Sequence, residues 1–204
     1  IGYYAVVEVE WGADDELGGA ARFLGVYDTS ESIAFDNPRL LLDEVLGIDP
    51  ETKDDNWMFG VNFEQYVWKP TLNAGDRPGT KDLVYSTSSF GFQEPGLGFF
   101  GRVAFLPESR NAFSSSFSFG LAGRGLVPGR PLDRMGIGGY TLDASGDLRG
   151  LAGEILEDEW GAEVFYNYAI TPAVQLTVDL QYIDSAVRAE DDALVLGLRL
   201  FTQF

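Results

Sequence analysis

The chain has 204 residues, with 32 Asp and Glu against 14 Lys and Arg, and its formal net charge is −18. So acidic a chain argues against a nucleic-acid partner, because nucleic-acid binding needs a basic face. Histidine and cysteine are both absent, which excludes Ser-His-Asp triads, Cys-His dyads, disulfides and zinc sites built from those residues. We therefore expect no catalytic residues, no metal and no cofactor, and we expect that the protein is not an enzyme.

Hydropathy excludes a helical membrane protein but leaves a membrane barrel open. No apolar run reaches the roughly 18 residues that a membrane-spanning helix needs. Barrel strands alternate apolar and polar residues, so their mean hydropathy stays low. The 25 glycines and the 14% of aromatic residues are typical of sheets with tight turns and interfacial rings of aromatic side chains.

The first two predicted strands carry opposite charges. Residues 1–12 alternate, with Glu8 and Glu10 on one face and apolar side chains on the other. After a turn, a second strand at 20–28 carries Arg22. Two acids on one strand and an arginine on the next predict cross-strand ion pairing.

A long connection at 28–55 leads to the third strand, which is predicted at 56–70. The centre of the connection, at 37–47, predicts a short helix, because a proline stands near its start and a glycine at its end. Connections of this length usually have a function or are disordered. Two alternatives stay open: a loop that folds into a barrel lumen, and a surface cap.

The middle of the chain contains a second long connection and then three strands. Residues 70–95 are rich in glycine, aspartate, proline and serine, and 83–90 within them predict a minor strand. The three strands are predicted at 96–107, 113–123 and 135–143.

The turn before the last of these strands is rich in charge. It contains Arg124, Arg130, Asp133 and Arg134, which we interpret as a hairpin held by salt bridges and not as a solute site. Residues 144–159 are predicted as a loop.

The last part of the chain predicts three strands, at 160–169, 173–182 and 193–204, with a tight turn at 170–172 and a polar loop at 183–192 between them. In the final strand the leucines from Leu194 to Leu200 share one face. Strands of about ten to twelve residues are long for a soluble sheet and fit tilted membrane strands. Aromatic residues near strand ends, with Phe204 as the last residue, are typical of membrane interfaces.

Together these patterns predict an all-β fold, an antiparallel transmembrane β-barrel with about nine strands in this chain. Residues 1–204 form a single predicted barrel region, with long loops at 28–55 and 70–95. The alternatives are a soluble acidic β-sandwich that acts as a binding module, and an outer-membrane barrel of non-porin function. Trp, Phe and Leu on one face of nearly every strand argue against the sandwich, because water would meet a large apolar patch.

Four segments resemble the C-terminal half of the carbohydrate-selective porin family, the OprB-type porins of Gram-negative outer membranes. They are GLGFFGRV at 96–103, GRGLVPGRPLDRMGIGGY at 123–140, EVFYNYAITPAVQLTVDLQYI at 163–183 and DALVLGLRLFTQF at 192–204. The resemblance implies a barrel of about sixteen strands that passes small sugars across the outer membrane. Because an open sheet edge in lipid leaves backbone groups unsatisfied, we expect the chain to be part of a longer barrel.

Polar side chains on the predicted inward faces are the candidate sugar-binding, pore-lining residues. Arginine and carboxylate groups suit vicinal hydroxyls, and a tyrosine ring offers a surface for a sugar face. The candidates are Glu8, Glu10, Arg22, Asn62, Glu64, Tyr66, Arg102, Glu163, Asp179, Gln181 and Arg199. Arg102 and Glu163 lead this set, because each lies in the middle of a strand within a segment that resembles the family. For each residue the structural alternative is a place in a charge ladder that stiffens the wall.

The expected partners are small sugars and outer-membrane lipid, with no nucleic acid and with a homo-oligomer left open. A glycosidase built on a carboxylate pair, Glu8 with Glu10 or Glu163 with Asp179, is the remaining enzymatic alternative. The acidic loops are expected to be solvated tips, and divalent-cation bridging is the alternative.

Overall fold

The computed structural model describes residues 2–12, 17–37, 47–49, 51–70, 92, 94–152 and 155–203. Most of the predicted helix (38–46), the predicted minor strand at 83–90 and Phe204 lie outside these residues.

One antiparallel sheet of nine strands forms almost the whole described structure, and each of its strands pairs with the next strand of the same sheet along the chain. The sheet contains β1 Gly2–Trp11, β2 Gly19–Asp28, β5 Asn56–Trp68, β6 Gly96–Phe105, β7 Phe113–Arg124, β8 Arg134–Ala144, β9 Glu159–Thr171, β10 Val174–Asp184 and β11 Ala193–Thr202. Two short strands, β3 Ser32–Ile33 and β4 Thr52–Lys53, pair with each other inside the β2–β5 connection. The predicted all-β antiparallel fold is confirmed.

A short helix, α1 (Gly146–Ala152), corrects the prediction of a loop between β8 and β9. The sequence obscured it because Gly146 and Gly150 are weak helix formers. Ser145 compensates as an N-cap, since its hydroxyl accepts a hydrogen bond from the Leu148 N–H at 3.4 Å. No helix among the described residues is long and apolar enough to cross a membrane.

The register gives the sheet one continuous apolar face. Large apolar side chains on this face stay exposed on edge and central strands alike, from Val7 on β1 through Phe117 on β7 to Leu196 on β11, which is 75% exposed. Among the described residues the buried apolar side chains are five alanines, Phe92 and Pro95. A soluble sandwich would bury this face against a second sheet, whereas the described residues form a single layer that suits contact with lipid.

Tryptophans stand at the ends of the strands, where an apolar belt meets polar surroundings. Trp11 donates its indole N–H to Gln65 Oε1 at 2.7 Å, and Trp160 donates to Asp184. An aromatic body with a hydrogen-bonded polar tip is typical of membrane interfaces.

Loops interlock at the end of the sheet opposite the β7–β8 turn. Phe35 of the β2–β5 connection donates its N–H to Ser109 O at 2.7 Å, and Ser145 donates its hydroxyl to Glu108 O at 2.7 Å. Arg110 forms an ion pair with Asp55. Each loop is thus tied to the loop of a neighbouring hairpin, which fixes this rim of the sheet.

The apolar face is testable with two adjacent positions on central strand β7. Phe117→Arg places a charge on the apolar face and should lower the free energy of unfolding in lipid vesicles by about 2 to 4 kcal/mol. Ser116→Arg, on the opposite face, is the matched control and should have a much smaller effect. Urea titrations followed by tryptophan fluorescence measure both, and equal losses for the two variants would contradict the assignment of faces.

Candidate functional site

All eleven predicted pore-lining residues lie on the face opposite the apolar one, which we call the polar face. The register aligns Glu8, Arg22, Asn62 and Arg102 as one row across β1, β2, β5 and β6. A parallel row contains Glu10, Glu64, Glu163 and Gln181. Tyr66, Asp179 and Arg199 occupy further rows on the same face.

The first row is held by side-chain contacts between neighbouring strands. Arg22 Nη2 donates to Glu8 Oε1 at 2.7 Å, which confirms the predicted cross-strand ion pair. Arg102 Nε donates to Asn62 Oδ1 at 2.7 Å. These contacts fix the orientation of both arginines, so the row presents positioned polar groups.

Two hollows lie side by side on the polar face. The larger hollow, of about 410 Å³, has Glu64, Arg102 and Arg134 as its charged lining residues. The smaller hollow, of about 180 Å³, is lined by Glu163, Gln181 and Tyr140 among others. The volume of the larger hollow falls within the range of about 300 to 1,000 Å³ that is common for small-molecule sites.

Three residues line both hollows: Phe100, Ser118 and Phe165. Arg102 and Glu163 thus belong to adjacent hollows that share a wall. Sequence reasoning missed Phe100 and Phe165, although a signal was present, because Phe100 has the parity of Arg102 and Phe165 that of Glu163.

Two predicted residues are engaged in packing against their surroundings. The Tyr66 ring meets the edge of Phe92 with centroids 4.8 Å apart, and Lys69 Nζ lies 4.4 Å from its centroid. The Tyr66 hydroxyl accepts a hydrogen bond from the Glu94 N–H at 3.0 Å. Asp179 is 5% exposed and accepts a hydrogen bond from Gln181 Nε2 at 2.9 Å.

The edge strands hold the remaining candidates. Glu8 and Glu10 lie on β1, where every residue is exposed, and Glu8 is engaged by Arg22. Arg199 is exposed on β11 and lies opposite Thr177 in the register.

The β7–β8 turn contains a compact clasp made by Arg130 and Asp133. Arg130 donates from Nε and Nη2 to the two carboxylate oxygens at 2.8 and 2.7 Å, and its Nη2 also reaches Ala169 O at 2.8 Å. Asp133, 2% exposed, also accepts hydrogen bonds from the Tyr166 hydroxyl and, at 2.9 Å, from the Ala169 N–H. The Arg130 guanidinium lies 3.8 Å from the centroid of the Tyr168 ring.

The predicted salt bridge in this turn is confirmed for Arg130 and Asp133, whereas Arg124 and Arg134 are the end residues of strands β7 and β8. Arg124 and Arg134 are opposite each other in the β7–β8 register on the polar face, and Arg134 lines the larger hollow. Unlike Arg130, both residues belong to strands. Because side chains along a strand alternate between the two faces, both lie on the polar face.

The clasp lowers the pKa of its carboxyl group. Burial alone would raise the pKa of Asp133, but the hydrogen bonds from Arg130, Tyr166 and the Ala169 N–H outweigh it and hold the pKa below its usual range. The ionised carboxylate therefore ties the β7–β8 turn to β9.

Comparison with known proteins gives a family and a fold. A family model described as "Carbohydrate-selective porin, OprB family" matches residues 2–204. The comparison with curated protein sequences gave no significant match.

Two solved structures of Pseudomonas putida OprB resemble the chain. The high-pH structure has a TM-score of 0.75 at 20% identity, and the match covers 100% of this chain and 49% of that one. The low-pH structure has a TM-score of 0.49 at 17% identity, with 98% and 55% covered. The chain thus spans about half the length of the solved chains that it matches.

The clasp predicts a pH-dependent stability. Because the folded-state pKa of Asp133 is depressed, its contribution is present above the unfolded value of about 3.9 and is lost as pH falls through the folded value. Asp133→Asn should cost about 2 kcal/mol at neutral pH, because it removes the charge from a hydrogen-bonded network. Below about pH 4 the difference from the wild type should shrink.

Urea unfolding in vesicles between neutral and acidic pH measures this difference. Asp191→Asn, at an exposed aspartate of the β10–β11 connection, is the matched control and should stay close to the wild type throughout. A constant gap between Asp133→Asn and the wild type across this range would contradict the assignment.

Proposed function

Because the chain belongs to the OprB family of carbohydrate-selective porins, we propose that it forms part of the wall of an outer-membrane channel for small sugars. The single observation that carries the proposal is the division of the sheet into two faces. One face is apolar and exposed, and the other bears positioned arginine, carboxylate and amide groups beside two hollows.

Passage is passive, and its selectivity comes from weak binding. Polar groups on the wall replace part of the water around sugar hydroxyls, and they release the sugar because each pose is held by few contacts. We assign this role to Arg102 and Glu163, and their position in the lining of the two hollows on the polar face supports the assignment. The charge ladder of Glu8 and Arg22 stiffens the wall beside them.

We propose that residues 1–204 form one barrel region, the C-terminal half of a larger porin. Among the described residues, β1 and β11 each pair with one strand only. In lipid the open backbone groups of such an edge would cost several kcal/mol, so further strands close the barrel. The match of this chain to 49% of the high-pH OprB structure supports this arrangement.

The two faces of the sheet also indicate what surrounds the protein. The apolar face contacts the lipid of a Gram-negative outer membrane, and a homo-oligomer would cover part of it. Size-exclusion chromatography with light scattering, in a detergent of known micelle mass, separates a monomer from an oligomer.

A glycosidase is the alternative from a different class, and the geometry does not favour it. Glu8 is engaged by Arg22, and Asp179 is buried against Gln181. Turnover of a labelled oligosaccharide would support the enzyme, whereas unchanged label on both sides of a membrane supports passage.

The sugar-binding role of the two leading residues is testable in planar bilayers. For the full-length protein we expect glucose to reduce the single-channel ion current in a saturable manner. Replacing Arg102 and Glu163 together, as Arg102→Gln with Glu163→Gln, should weaken this block about tenfold, because both charge-assisted hydrogen bonds are lost.

Glu190→Gln, at an exposed acid of the β10–β11 connection, is the matched control and should leave the block unchanged. Unchanged block in the double variant would remove Arg102 and Glu163 from the site. Absence of any sugar-dependent block in the wild type would overturn the proposed channel.

A further inference from the structure

The ring of Phe100 is seated directly on the backbone of the two following strands. A Cβ atom added to Gly120 would lie 2.6 Å from Phe100 Cζ, and one added to Gly138 would lie 3.4 Å from it. The register places Phe100 opposite Gly120, and Gly120 opposite Gly138, so the ring spans β7 and reaches β8. At position 120 only glycine leaves room for a ring this close to the sheet, whereas at position 138 the ring would be in ordinary van der Waals contact with an added Cβ.

Phe165 repeats this arrangement from the other side of the hollows. A Cβ atom on Gly136 would lie 2.6 Å from Phe165 Cε1, and Gly136 is opposite Phe165 in the β8–β9 register. Phe100 and Phe165 are both partly exposed on the polar face, and both line both hollows. Each ring thus lies close to the backbone of a neighbouring strand and is partly open to the hollows.

Polar groups flank these rings on both sides. Glu64, Arg102 and Arg134 line the larger hollow together with the two rings. Glu163 and Gln181 line the smaller hollow together with the same rings. An apolar surface with hydrogen-bonding groups along its sides is the general form of a small-molecule site.

We propose that Phe100 and Phe165 form a stacking platform for the C–H face of a pyranose ring, with hydroxyl-binding groups in the hollow on either side. A pyranose has the matching chemistry, because one ring face carries C–H bonds and its rim carries hydroxyls. The negative face of an aromatic ring attracts such C–H groups. The inference rests on the proposed channel function and deepens it, since it assigns the site a preference for cyclic sugars.

The preference separates a cyclic sugar from an acyclic polyol of the same size. Glucose offers a flat C–H face to the platform, whereas sorbitol has similar hydroxyls but no ring. A wall that recognised hydroxyls alone would bind both with similar affinity. A wall with the platform binds glucose more tightly, and the difference resides in Phe100 and Phe165.

The test compares sugar block of the ion current for variants of the full-length protein in planar bilayers. Phe100→Leu and Phe165→Leu should each weaken glucose block about fivefold and leave sorbitol block within about twofold of the wild type. Phe100→Tyr keeps an aromatic ring and should restore most of the glucose affinity. The matched control is Phe99→Leu, whose side chain lies on the apolar face of the same strand and which should leave both affinities unchanged.

Each outcome decides the inference. Heat-modifiable migration on gels confirms that a variant is folded, and a variant that fails this check is replaced by Phe100→Met or Phe165→Met, which keep an apolar side chain without a ring. Equal losses for glucose and sorbitol, or unchanged glucose block in the folded ring variants, would overturn the platform while leaving the channel in place. A wild type that shows no sugar block at all would overturn the channel itself.

Discussion

The backbone hydrogen-bond ladder is the constraint on which the rest of this structure depends. In lipid, each unsatisfied N–H or C=O costs several kcal/mol, so every strand must pair along its length. The ladder also fixes which face each side chain occupies, because a slip by one residue exchanges the two faces. Such a slip in β7 would bring Phe117 to the polar face and Ser116 to the apolar one. Hydrogen bonding and side-chain pattern therefore enforce the same register.

A sheet of one layer has no interior in which to bury large side chains, and this one compensates locally. Glycines let rings on one strand pack on the backbone of the next, as Phe100 does on Gly120. The clasp between Arg130 and Asp133 also stabilises the sheet locally, because it connects the β7–β8 turn to β9. The stabilising contacts are thus made between adjacent strands, and the packed rings shape the surface of the polar face.

The strands and their faces were predictable from sequence because a period of two is a local property. The ion pair between Glu8 and Arg22 was predictable as well, since one short turn joins the two strands. The hollows were not, because they depend on how Phe100 meets Gly138 two strands away, and no local pattern sets that register. Helix α1 was missed because its glycines masked the capping residue Ser145. Arg134 was predicted as the last residue of the turn, whereas strand β8 begins at that residue.

The contact between Phe165 and Gly136 has a consequence for the evolution of this wall. A side chain at position 136 would meet the Phe165 ring 2.6 Å away, and its other nearest contact is the Ala122 Cβ at 3.1 Å. The obstacle is thus made of side chains, and a smaller residue at 165 would remove most of it. Related sequences should therefore vary at these two positions together, with glycine retained wherever an aromatic ring is kept. Substitutions at positions 136 and 165 are therefore coupled, and a survey that treated each position separately would miss the coupling.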